Sequence, residues 1–137
     1  MIFLKTDYVT VQYNESLKLV EVEWHGLVQS NYYRETLNMV LDLIEEKNLE
    51  YFLVNRLNME RISLNDEKWR QEEWYPRFLK SSVKKAASVI CKDHYTEVAV
   101  SRLIEEKDKI IKIERRSFSE YQEAKNWLLQ FARAAKD

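Results

Sequence analysis

Between Ala86 and Leu128 a short apolar run, a helix-like segment, a second apolar run and another helix-like segment follow in order. The runs Ala87-Ser88-Val89-Ile90-Cys91 and Ile110-Ile111-Lys112-Ile113-Glu114 alternate with amphipathic segments, which is how a parallel sheet with crossover helices is written into a chain. This pattern constrains the architecture strongly and carries no catalytic signature.

The rest of the chain extends the same plan. Tyr8 to Tyr13 and Leu17 to Trp24 both alternate apolar and polar residues around Asn14-Glu15-Ser16, so they read as a β-hairpin that Gly26 closes. Ser30 or Asn31 is placed to cap a helix running to about Asn48, with Tyr33, Leu37, Val40, Leu41 and Ile44 on one stripe. Tyr51 to Asn55 is a short central strand, and a polar connection from Arg56 to Ile62 follows it. Ser63 with Asp66 has capping-box spacing, and the helix it opens carries Trp69, Trp74 and Tyr75 before meeting Pro76. A break or kink is expected near Tyr75, because proline lacks an N–H and crowds the carbonyl four residues back. The strand from Ala86 to Cys91, a helix opening at Asp93, the strand from Ile110 to Arg115 and a helix beginning near Ser119 complete the series. The expected fold is a single α/β domain over residues 1–137. An N-terminal hairpin leads into a mostly parallel sheet of about five strands, with four helices on both faces.

Several function classes are excluded by what the chain lacks. Gly26 is its only glycine. A phosphate-cradling loop, a dinucleotide fingerprint and a serine nucleophile elbow each need more, because only bare backbone approaches a pyrophosphate or turns that sharply. The 22 basic and 23 acidic residues nearly cancel, leaving no whole-chain excess of positive charge for nucleic acid. One cysteine rules out an internal disulfide and a multi-cysteine zinc site. The first residues lack a basic and then apolar leader, and no apolar run approaches the ~20 residues that span a bilayer. A cytoplasmic setting is the expectation.

The residues Val22-Glu23-Trp24-His25-Gly26, Phe52-Leu53-Val54-Asn55 and especially Trp69-Arg70-Gln71-Glu72-Glu73-Trp74-Tyr75-Pro76-Arg77 resemble those of small bacterial STAS-like proteins. These domains are similar to anti-sigma-factor antagonists, and their fold is related to the CRAL-TRIO lipid-binding domain. The likeness in element order spans Tyr8 to Phe131. It implies a (β/α) superhelical core and a role in protein–protein regulation rather than chemistry. It also implies a phosphorylatable serine at the start of the helix after the central strand, where Ser63 lies. The Asp-Ser-Ser-Gly pattern of that site is missing, since the local sequence is Arg61-Ile62-Ser63-Leu64-Asn65. Ser63 is equally explained as an N-cap.

The segment Trp69 to Phe78 places Trp69, Trp74, Tyr75 and Phe78 within ten residues, beside Arg77, Lys80, Lys84 and Lys85. One reading is an exposed patch for a protein partner or a second copy, with Trp74 and Tyr75 buried across the interface and Arg77 pairing at its rim. The other is that these rings pack into the domain. At the carboxyl ends of the strands, Arg56, Lys92 and Arg115 are candidates for an anion pocket, or for ordinary solvated loop charges. Cys91 with His94 three residues on is the one candidate for a cysteine-dependent enzyme, although no glycine nearby shapes an oxyanion hole. His25 and His94 have no metal-ligand spacing, and Glu72-Glu73 point in different directions on a helix, so no metal and no cofactor is assigned. The expectation is a non-enzymatic regulatory or scaffold module. The alternatives are a small carrier of a lipid or apolar metabolite and an enzyme at Cys91.

Overall fold

The computed structural model describes residues 1–60, 62–91 and 113–136, with the side chains of residues 135 and 136 left out. The strands are β1 (Ile2–Lys5), β2 (Val9–Asn14), β3 (Leu19–Gly26), β4 (Tyr51–Met59), β5 (Lys85–Val89) and β6 (Glu114–Phe118). The helices are α1 (Ser30–Lys47), α2 (Leu64–Trp69), a π-helical turn (Arg70–Trp74), α3 (Tyr75–Leu79) and α4 (Tyr121–Lys136). All strands join one sheet in chain order. The first two pairings are antiparallel and the last three parallel, as the alternation of runs predicts.

Alternate side chains go to opposite faces, and the inner parallel strands are apolar on both. Val20, Val22, Trp24, Phe52 and Ala86 meet α1, Trp74 and Phe78 on one face. Leu19, Tyr51, Leu53, Ala87 and Val89 meet Ala124, Trp127, Leu128 and Ala132 of α4 on the other. Helices therefore cover both faces.

Four local expectations are corrected. First, β1 adds a sixth strand. Ile2-Phe3-Leu4 shows no alternation because it forms the sheet edge with an irregular register between Ile2 and Leu4. Second, the last strand runs on past Arg115 to Phe118; it is described over Glu114–Phe118, Ile113 is a buried residue just before it, and 110–112 lie outside the described residues. As the other edge strand, β6 tolerates a polar sequence. Third, α1 is preceded by Gln29, which makes no side-chain cap, and the Ser30 hydroxyl is engaged by Asp66 instead.

Fourth, Pro76 does not break the helix. Ahead of it the chain widens into a π turn in which the Tyr75 N–H donates to the Arg70 carbonyl, and the rod continues from Leu64 to Leu79. The wider turn gives the proline ring room that a regular turn denies it. The expected helix at Asp93, and with it His94 and Lys92, lies outside the described residues.

Gly26 ends β3 at a φ of +63°, where a side chain would be strained. Among the described residues no helix is long and apolar enough to cross a membrane.

Candidate functional site

The parallel strands β3 to β6 lie side by side in chain order, so their carboxyl ends form one continuous edge. Nothing reverses within that strand order, and a reversal is what opens a crevice in doubly wound sheets. What the described residues present there is a mixed surface, in which exposed leucines stand among polar residues such as Asn58, Glu60 and Asn65. Leu27 after β3 is 73% exposed, Leu57 in β4 41% and Leu64 at the start of α2 77%. Single exposed leucines are ordinary, but several at one edge mark a place for contact.

A polar node fixes this edge from below. Asp66, in the first turn of α2, is 3% exposed. Its Oδ1 accepts hydrogen bonds from Ser30 Oγ at 2.5 Å and from Arg34 Nε at 2.9 Å, tying α2 to the first turns of α1. Burial pushes the Asp66 carboxyl up, but hydrogen bonds from Ser30, Arg34 and Ser63 and the charge of Arg34 outweigh it, holding the carboxyl below its ordinary value. Ser63 is the N-cap of α2: its Oγ accepts the Asp66 N–H at 3.1 Å. Ser63 is exposed, so capping does not hide its hydroxyl.

The aromatic segment divides in two. Trp74 and Phe78 are 5% and 2% exposed, which corrects the expectation that they present their rings to a partner. They stack at 4.9 Å, Phe78 meets Phe52 at 5.2 Å, and Trp74 Nε1 donates to the Leu37 carbonyl at 2.8 Å. Ridges of α1 and β4 supply the apolar surface that a single helix stripe lacks. Tyr75 is half-buried, with the Arg115 guanidinium 5.0 Å from its ring. Arg77 is exposed but donates to Glu45 at 3.0 and 2.9 Å and to Asp42 at 2.6 Å, pinning α3 to α1. Trp69 is half-buried beneath the Arg34 guanidinium, 5.3 Å from its ring centre.

The structure separates the expected anion-pocket residues. Arg115 is opposite Ala86 at the amino-terminal end of β6, whereas Arg56 lies beyond Asn55 toward the carboxyl end of β4. Lys92 lies outside the described residues. The error follows from placing the end of the last strand too early. Cys91 is exposed, and its pairing with His94 also lies outside the described residues.

Sequence reasoning missed a second polar cluster, on the opposite sheet face. Glu21 is 8% exposed and is held by the Tyr121 hydroxyl and, at 2.6 Å, by Lys125 Nζ, both from α4. Burial lowers the Lys125 ammonium, yet its bond and attraction to Glu21 prevail and hold it above the ordinary lysine value. Burial and then Glu21 raise Tyr121. Alongside lies a depression of about 270 Å³ lined by Thr10, Gln12, Glu21, Glu23, Asn55 and Tyr121 among others. Val22 and Leu53 add apolar surface to its hydroxyls, amides and carboxylates. No signal could have found this cluster, because its partners are about 100 residues apart in sequence. Among the described residues no group of three potential ligands is arranged for a metal ion.

No protein-family model matches the sequence, and no curated protein does. Two solved structures share its fold. One is an uncharacterised protein of the DUF3478 family with a SpoIIAA-like fold from Shewanella loihica PV-4. It aligns with a TM-score of 0.61 and 11% identity over 88% of this chain and 91% of that one. The other comes from the complex of the diguanylate cyclase SiaD with its activator SiaC from Pseudomonas aeruginosa. It aligns with a TM-score of 0.50 and 9% identity over 86% of this chain and 99% of that one. The chain therefore has a SpoIIAA-like, or STAS-like, fold.

Proposed function

We propose that this chain is a non-enzymatic, cytoplasmic regulatory module that acts by binding a protein partner at the carboxyl edge of its parallel sheet. The observation that carries the reading is the exposure of Leu27, Leu57 and Leu64 together on that edge. They provide apolar area for a partner, and the Asp66 node keeps the loops beneath them in place. The fold neighbour SiaC, described as an activator of a diguanylate cyclase, supplies an analogy for action through a partner.

The aromatic segment contributes to this surface only through its first turn, at Trp69. Trp74 and Phe78 serve the core. A second copy of the chain is the alternative occupant of the edge.

The test is quantitative co-purification from the native host, comparing the wild type with a Leu27→Glu, Leu64→Glu double variant. A polypeptide retained by the wild type and lost with the variant, at unchanged thermal midpoint, supports the reading. An identical set of companions for both proteins removes the edge from consideration. A reproducible small-molecule mass on a monomer in native mass spectrometry points instead to a carrier.

A further inference from the structure

We infer that α2 is a latch, a short helix that releases from α1 and redocks while α3 stays fixed, with the π turn Arg70–Trp74 as its hinge. This deepens the partner-binding reading by giving its edge a means of regulation. The latch itself stands on observations that need no partner.

α2 contributes six residues to the rod, so once the π turn yields it has too few internal bonds of its own to persist and depends on its docking contacts. Those contacts are polar apart from Trp69, which packs against the edge of the core. Asp66 is its only buried residue, Leu64 is 77% exposed, and Trp69 is half-covered. The fastenings are Ser30 and Arg34 on Asp66, the Arg34 guanidinium over Trp69, and Arg70 Nη1 donating to the Tyr33 hydroxyl at 3.3 Å. Every partner in that set sits on the first two turns of α1.

The other end of the rod is held by different means. Trp74 and Phe78 are buried in the core, and Arg77 clamps α3 to Asp42 and Glu45. Between the two fastenings the regular ladder is interrupted, since the Tyr75 N–H reaches back to Arg70. An interruption between a weakly held and a strongly held segment is where a local opening stops. Release of α2 moves Leu64 and uncovers Trp69, so the edge has a closed form and an open form. An occupant that prefers one form shifts the balance by its difference in affinity.

Hydrogen exchange of the full-length chain tests this directly. The amides of residues 64–70 are expected to exchange at least tenfold faster than those of 77–80. Asp66→Asn is expected to speed the first group a further tenfold or more and leave the second unchanged. Should that variant fail to fold, Ser30→Ala removes one bond to the same carboxylate and is expected to act in the same direction with a smaller factor. One common rate for both groups in the wild type, or equal acceleration of both in the variants, overturns the latch. Because the free protein is measured, a failed latch and a failed partner surface are told apart.

Discussion

At the Pro76 end of the Leu64–Leu79 rod, Trp74 and Phe78 lie within the core between α1 and β4. At the Ser63 end, the one buried side chain is a carboxylate, and the apolar residue faces solvent. The same rod therefore has an end built like a protein interior and an end built like an interface. The lesson concerns aromatic density. Three of its four rings crowd toward Pro76, and the mixed sheet beneath had room for them, so the crowding marks structure rather than recognition.

Substitutions at the two ends should separate the roles. Trp74→Ala removes a buried indole from this cluster along with its hydrogen bond to the Leu37 carbonyl. A loss of about 3–5 kcal/mol in denaturant unfolding is expected. A loss under about 1 kcal/mol would contradict its core assignment. Asp66→Ala should cost roughly 1–3 kcal/mol, by removing the charge-assisted hydrogen bonds from Ser30 and Arg34, and the change should concentrate in residues 64–70.

The same carboxylate gives a pH signature. Its folded pKa lies below the ordinary value. Its stabilisation is thus fully present above the unfolded carboxylate range near ~4 and is lost as pH falls through the lower folded value. Urea midpoints of the wild type and Asp66→Asn should differ at neutral pH and converge in acid. A constant gap would show that Asp66 does not act as the charged form.

Smaller effects sharpen the contrast. Arg77→Ala loosens an exposed ion cluster and should cost about 0.2–1 kcal/mol, measured by thermal unfolding. Leu64→Ser should change stability by less than about 0.5 kcal/mol, because nothing buried is lost. Its consequence belongs to association alone.

Much of this fold was legible in the chain. Period-two runs located β2 and β3, and short apolar runs located β5 and the first five residues of β4 but not its polar continuation to Met59. The stripe Tyr33–Leu37–Val40–Leu41–Ile44 located α1, and Ser63 announced the cap of α2. The failures share a cause. β1 and β6 are edge strands, where burial on one side does not impose a readable pattern. The Asp66 and Glu21 nodes join residues 32 to 104 positions apart, and local spacing has no record of such pairs. Whether Trp74 points inward depends on the surface offered by α1 and β4, which composition cannot report.

Site-specific photo-crosslinking in the native host tests the central claim most directly. A photoreactive residue is placed at position 64 in one protein and at Lys84, 64% exposed and at the opposite end of β5 from that edge, in another. The account predicts a discrete adduct from position 64 and none from position 84. Adducts from position 84 alone, or equal labelling from both, would contradict it.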